Sequence, residues 1–253
     1  MTASTTRHFP RHTHDQFGIG VVDSGAHSSW SDQGRVAAVP GNLICVNPGE
    51  VHDGRPLGEP SRSWRLLYLE PHTVRAALED VCEGGRRDFL FVAPVFADES
   101  VRGLFDAAFA HVTTAARSGD SMECETALLK LVARLRCYST AHRPEQRRPT
   151  PCVTRARARI DADPTARLTL AELAREAGLS RFQLIRGFAR ATGLTPHAYI
   201  LQQRMALARQ LIVSRHDLAE VALLTGFYDQ SHLTQYFVRQ FGVTPRRYVC
   251  RSG

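Results

Sequence analysis

The chain has 253 residues, enough for one large or two ordinary domains, each with its own core. Hydrophobic residues make up 43 %, which excludes a disordered chain, and no run reaches the ~18 apolar residues of a membrane-crossing helix. The net charge of +7 is uneven: residues 1–148 carry 17 Lys+Arg against 18 Asp+Glu, whereas residues 149–253 carry 15, all arginine, against 7, so a phosphate-binding surface belongs to the second part.

The N-terminal MTASTTRHFPRHTHD lacks the apolar stretch of a secretory signal, so a cytoplasmic location is expected. Residues 8–71 then read as short alternating or apolar runs (FGIGVV, DSGAHSS, WSDQ, GRVAAV, LICV, VHDG, SWRLLYLEP) separated by Gly, Pro, Asn and Asp. That pattern predicts a small antiparallel β-barrel. His12-Thr13-His14 and the later Pro48-Gly49-Glu50-Val51-His52 resemble the two half-motifs of a cupin. Histidines two apart on a strand share a face, and a third would complete a facial metal set. The cupin metal motif also wants a carboxylate four or five residues after His14, where this chain has Gly18 and Ile19. His12, His14 and His52 are therefore read first as hydrogen-bonding or structural groups. A metal set of the same three is the alternative reading. No cofactor is expected.

From Asp98 to His142 the period becomes helical. Val101, Leu104, Phe105, Ala108 and Val112 form one apolar face, and Met122, Leu128, Leu129, Val132 and Leu135 a second. The Ser118-Gly119-Asp120-Ser121 turn separates them, giving a helical hairpin for packing on the barrel or for dimerisation. Residues 139–152 hold three prolines and no apolar run, which marks a linker. A helix over Val153–Ala162 follows, with Ile160 packing and Arg155, Arg157 and Arg159 expected near phosphate. The six cysteines, at 45, 82, 124, 137, 152 and 250, form no C-x-x-C pair and read as reduced thiols.

The last third contains one helical unit written twice. At a shift of 48, Leu170 aligns with Leu218, Ala171 with Ala219, Glu172 with Glu220, Ala174 with Ala222 and Gly178 with Gly226. One extra residue at Tyr228 makes the shift 49, and Leu184/Leu233, Phe188/Phe237, Arg190/Arg239, Gly193/Gly242, Thr195/Thr244, Pro196/Pro245 and Tyr199/Tyr248 agree again. These are 12 identities over 30 positions, with the offset in a turn, where an insertion costs least. Each copy reads as helix, glycine turn, helix. Thr169 with Glu172 and Ser180 with Gln183 form capping boxes in the first copy; Asp217 and Asp229 cap in the second. Gly178 and Gly226 end the first helix of each pair. Helix-turn-helix elements of DNA-binding proteins have this grammar. Between the copies a helix from Pro196 to Val213, capped by Thr195, would span ~27 Å, comparable to the ~34 Å between successive major-groove faces.

The stretches LAELAREAGLSRFQLIRGFARATGLTPHAYI and LAEVALLTGFYDQSHLTQYFVRQFGVTPRRY resemble the C-terminal domain of the AraC/XylS family of bacterial transcription regulators. The PGNLICVNPGEVHDG wording of the first part resembles the same family's effector domain. The resemblance implies an α+β chain of two domains: a cupin-like barrel over 1–97, a helical hairpin over 98–142, a linker over 143–152 and an all-α double helix-turn-helix over 153–253. It implies a sequence-specific regulator, not an enzyme, whose partners are double-stranded promoter DNA, a small-molecule effector, a second copy of the chain and RNA polymerase, with no membrane. Alternatives are a metal-dependent cupin enzyme or metal sensor fused to a DNA-binding domain, and a constitutive dimeric DNA-binding protein.

On the first recognition helix the outward residues are Arg181, Phe182, Ile185, Arg186 and Arg190; by resemblance Phe182, Ile185 and Arg186 match base-facing positions. On the second they are Gln230, Ser231, His232, Gln235 and Arg239. Arg186 suits guanine and Gln235 adenine, while Arg190, Arg239 and Arg246 suit phosphate. In the barrel the resemblance places Trp64 and Leu66 toward the effector, with His14 and His52 at the mouth and Arg65 and Leu67 facing away. Trp30 is a further candidate, for the pocket or for the core.

Overall fold

A computed structural model describes residues 2–58, 61–82, 88–118, 121–140 and 150–249. The chain divides near residue 143 into two compact units. Most of the expected linker, and the centre of the expected turn at Gly119-Asp120, lie outside the described residues.

The N-terminal unit is built on β1 (Thr2–Thr5), β2 (Phe9–His12), β3 (Phe17–Ser24), β4 (Ala26–Ser31), β5 (Gly34–Ala38), β6 (Leu43–Val46), β7 (His52–Leu57) and β8 (Arg62–Leu69). A five-stranded sheet runs β1-β8-β3-β6-β10, the last being Val95–Phe96, and a four-stranded sheet runs β2-β7-β4-β5. Every described strand pair in these sheets is antiparallel. β3 lies between β8 and β6 and is buried from Phe17 to Val22, which is why its sequence is apolar or glycine throughout rather than alternating. Gly20 is required by this packing: a Cβ there would sit 2.4 Å from the Arg65 carbonyl oxygen and 2.7 Å from Leu66 Cδ1.

The five-stranded sheet has two different faces. Phe17, Ile19, Val21, Leu43, Cys45, Leu67 and Leu69 point to three helices: α1 (Pro71–Cys82), α2 (Glu99–Ser118) and α3 (Ser121–Leu135). There they pack against Val74, Leu78, Val101, Phe105, Ala108, Leu131 and Leu135. Trp64 and Leu66, alternating with these on β8, turn the other way and cluster with Phe9 of the second sheet. A short pair, β9 (Leu90–Phe91) with β11 (Ser139–Thr140), closes the edge.

Several expectations change. β1, TAST, precedes the predicted run of strands; it has no apolar residue larger than alanine to mark it. α1 was not anticipated, although Val74, Ala77 and Leu78 bury one face at helical spacing. Met122 is 77 % exposed, not packed: it lies in the first turn of α3, and the buried face is instead Ala127, Leu131, Val132 and Leu135. Cys45, Cys124, Cys137 and Cys152 are free thiols, whereas the side chains of Cys82 and Cys250 lie outside the described set.

The C-terminal unit contains α4 (Pro151–Ala162), α5 (Leu170–Ala177), α6 (Arg181–Thr192), α7 (Pro196–Val213), α8 (Leu218–Leu224), α9 (Gln230–Phe241) and α10 (Pro245–Val249). α4 begins two residues earlier than its apolar pattern suggests, because Pro151 fits the first helical position. Both capping boxes form, Asp217 and Asp229 accept backbone N–H bonds at the later helix starts, and Thr195 caps α7. Gly178 and Gly226 adopt φ of 66° and 74°, the left-handed conformation in which a side chain would be strained. The described core of the second copy joins Met205, Ala208 and Ile212 of α7 to Val221, Phe227, Leu233, Phe237 and Phe241. Tyr199 serves the first copy: its ring lies 5.3 Å from Phe188, and its hydroxyl donates to Asp161 at 2.7 Å.

One side chain on α7 joins the loop before the first copy to the turn of the second. Arg204 donates from Nε to the Pro164 carbonyl at 2.7 Å and from Nη2 to the Ala166 carbonyl at 3.1 Å, both in the loop before α5. Its Nη1 donates to the Gly226 carbonyl at 2.8 Å, in the turn of the second copy. A Cβ on Gly226 would lie 3.1 Å from Arg204 Cζ, so the turn glycine also makes room for the guanidinium. Arg204→Ala is expected to destabilise the helical unit by about 2–4 kcal/mol, because several bonds from a charged donor to half-buried carbonyls are lost together. Arg204→Lys should recover little, since an ammonium cannot fork to separated carbonyls. Urea unfolding of the full chain followed by far-UV circular dichroism checks both.

Candidate nucleic-acid interface and barrel interior

α6 and α9 each bury one stripe and expose another. Leu184 and Phe188 are fully buried on α6, and Leu233, Phe237 and Phe241 are buried on α9. On the opposite stripe of α6, Arg181, Phe182, Arg186 and Arg190 are exposed and Ile185 is half-buried. Phe182 is 67 % exposed, an unusual position for a large aromatic, and the Arg186 guanidinium lies 5.5 Å from its ring. This α6 surface therefore offers an apolar plane beside a forked donor, suited to a thymine methyl next to a guanine edge.

On α9, Gln230, Ser231, Gln235 and Arg239 are exposed, as is Arg246 on α10. His232 is half-buried. Its Nδ1 accepts the Tyr228 backbone N–H at 3.3 Å, and its ring packs 5.0 Å from Tyr236 and 5.5 Å from Phe227. One ring nitrogen thus serves the turn rather than solvent. Tyr228, the extra residue of the second copy, is 91 % exposed beside these groups and was not singled out from the sequence. The duplication offset itself was its signal.

The arginines of α4 already have partners within the unit. Arg155 donates to the Glu176 carbonyl at 3.2 Å, Arg157 donates to the Tyr199 hydroxyl at 3.1 Å and pairs with Asp161 at 3.4 Å, and Arg159 lies 3.8 Å from the Glu176 carboxylate. Alternate arginines on this short helix thus reach Glu176 of α5, the Tyr199 hydroxyl of α7 and Asp161 of α4 itself.

In the barrel, Trp64 and Leu66 face the interior as expected, and Arg65 and Leu67 face away. Arg65 pairs with Asp23 and Asp106, each at 2.8 Å. Trp30 is not in the core. It is 36 % exposed, with Arg11 4.7 Å and Arg35 5.9 Å from its ring. His12 and His14 are buried and His52 is half-buried, so they lie deeper than a mouth position. Their ring centroids are 4.3 Å apart for His12–His52, 4.9 Å for His14–His52 and 6.5 Å for His12–His14, with Tyr68 5.0 Å from His14. Each Nδ1 faces a backbone carbonyl: Pro10 at 2.8 Å, Gln16 at 2.8 Å and Glu50 at 3.1 Å. A carbonyl only accepts, so all three rings carry the Nδ1 proton. Among the described residues, no group of three or more His, Cys, Asp or Glu is disposed to hold a metal ion.

Burial drives the histidine pKa values down. It is the leading cause for His12, for His27, which falls to about 4, and for His52, which falls well below the ordinary value; the Arg62 charge adds to the effect at His27, and His12 and His14 at His52. Such groups are neutral when folded and titrate near 6.5 when unfolded. Their contribution is complete above 6.5 and is lost as pH falls from there toward 4; for His27 alone this amounts to about 3 kcal/mol once the pH is below 4. The N-terminal unit should therefore weaken steadily from about pH 6.5 downward. Thermal melts across that range check it, and constant or rising stability would contradict the assignment.

Known proteins align with both units. The family description "AraC-like ligand binding domain" matches residues 2–132, and "Helix-turn-helix domain" matches 173–251. An uncharacterised HTH-type transcriptional regulator of Bacillus subtilis, YbfI, is 25 % identical over 89 % of this chain and 81 % of its own length. The probable transcriptional regulator LumQ of Photobacterium leiognathi is 42 % identical over 32 % of this chain and 34 % of its own. ToxT from Vibrio cholerae, solved with an unsaturated fatty acid bound, has the same fold: TM-score 0.55 at 12 % identity, covering 98 % of this chain and 93 % of that one. Among the described residues no helix is long and apolar enough to cross a membrane.

Proposed function

The chain belongs to the AraC family of transcription regulators, a DNA-binding helix-turn-helix unit joined to a ligand-binding unit, and from that premise we propose which residues do the work. The two helix-turn-helix copies read one face of promoter DNA together. Phe182, Ile185 and Arg186 of α6, and Gln230, Ser231, His232 and Gln235 of α9, contact base edges; Arg181, Arg190, Arg239 and Arg246 contact phosphate. A small molecule enters the barrel interior lined by Trp64 and Leu66, with His14 and His52 near its far end, and its occupancy changes operator affinity. The chain acts in the cytoplasm as a homodimer through the α2–α3 hairpin and meets RNA polymerase at the promoter. Its linker ends before Pro151.

The observation that carries this reading is the Arg204 bridge. It ties the loop that leads into the first copy to the turn of the second, and the copies' exposed stripes are rich in arginine, amide and aromatic groups. The test is a fluorescence-anisotropy titration of promoter fragments flanking the chain's own gene, with and without a broad panel of metabolites. Saturable binding altered by at least one compound supports the reading, and non-saturable binding with no compound effect contradicts it.

Substitutions separate the roles. Arg186→Ala and Gln235→Ala should each lose about 1–3 kcal/mol on the preferred site and relax discrimination at one base position. Arg239→Ala should weaken all sequences alike and lower the slope of log affinity against log salt by about 1. Equal effects on specific and random DNA from Arg186→Ala would remove its assignment to a base.

A further inference from the structure

Arg62 opens β8 and points to the barrel interior with Trp64 and Leu66. It is 1 % exposed, the largest fully buried side chain described. Two of its nitrogens are engaged: Nε donates to His27 Nδ1 at 2.9 Å, and Nη1 donates to the Arg7 carbonyl at 3.1 Å. Nη2 is buried with no hydrogen-bond partner. No carboxylate among the described residues reaches this guanidinium. The one partner ring, His27, is held neutral, with its Nδ1 lone pair fixed by the arginine donor.

Two other partly enclosed arginines differ. Arg65, three residues on and facing the opposite way, has two aspartates. Arg204 spends its donors on four carbonyls. A guanidinium stripped of water, with a donor group idle, is among the costliest arrangements a core can hold, and such charges are ordinarily paired. Only aromatic faces soften it: Trp64 at 5.0 Å and Phe9 at 5.9 Å from Cζ. Burial alone draws the Arg62 pKa down to about 10.

The surroundings are shaped for a guest. Gly54 on β7 presents no side chain toward the idle nitrogen; a Cβ there would already stand 3.4 Å from Nη2 and 3.0 Å from His27 Cε1. Leu66 continues the apolar lining beyond Trp64, with Ala3 and Ile44 packed alongside. We propose that the barrel takes a small monoanionic carboxylate whose charged end pairs with Arg62 and whose apolar body lies along Phe9, Trp64 and Leu66. One uncompensated positive charge calls for one negative charge, and two N–H groups on one nitrogen suit a carboxylate oxygen. This rests on the reading of the barrel as the effector site and names the chemistry of the effector.

The test uses the full chain, straight-chain carboxylates from butanoate to dodecanoate together with benzoate and phenylacetate, and the primary amide of each. Binding is followed by calorimetry and by Trp64 fluorescence, and operator affinity is measured on the same preparation. At least one carboxylate should bind, with its amide weaker by roughly tenfold or more. Arg62→Met should abolish that preference, and Arg62→Lys, which keeps the charge, should retain part of it. The inference is overturned if no carboxylate binds, if amides bind as tightly, or if Arg62→Met binds carboxylates as well as the parent. Should either variant fail to fold, the carboxylate–amide comparison on the parent decides. Intact operator binding without a carboxylate response sinks this inference alone, whereas absent operator binding sinks the regulator reading.

Discussion

A bridge of charged hydrogen bonds from Arg204 sets what the helical unit can do. Two helix-turn-helix copies on one chain are useful for reading a duplex only if their separation and direction are fixed. α7 supplies length, and its apolar faces join each copy's core. Arg204 adds a planar fork that grips the loop before the first copy and the turn of the second. The grip lands on half-buried carbonyls in loops, at Pro164, Thr165, Ala166 and Gly226.

In the N-terminal unit the governing constraint is strand alternation on β8. One face, with Leu67 and Leu69, belongs to a core shared with three helices, and the other, with Arg62, Trp64, Leu66 and Tyr68, lines the space between the sheets. The outer face is conventional and apolar. The inner face is mixed: it carries a guanidinium with an idle Nη2 near Trp64, Tyr68 packed on His14, and His12 and His52, whose pKa values burial draws down. An interior that keeps such groups forgoes stability that aliphatic residues would give. Recognition of a polar guest is the physical reason to retain them.

Much of the helical unit was legible because its determinants are local. Capping boxes at Thr169 and Ser180, left-handed glycines at 178 and 226 and the Thr195-Pro196 start are written within a few residues of where they act. The barrel was legible as a class, and Trp64 and Leu66 fell on the expected face. What escaped depends on contacts distant in sequence. β1 is a strand because β8 offers it an edge, not because TAST favours one. Arg155, Arg157 and Arg159, expected near phosphate, also have Glu176, Tyr199 and Asp161 within reach, which the sequence alone does not show. Arg204 and Arg62 are two arginines among many in the sequence, and only burial and the count of their partners distinguish them.

The central claim is that the two copies act as one rigid reader. Selection of bound sequences from random duplex DNA by the full chain tests it most directly. The account predicts two preferred windows at a fixed separation of about one helical turn, roughly 10 base pairs, on the same face of the duplex. A single window, or two windows whose spacing varies freely among the selected sequences, would contradict it.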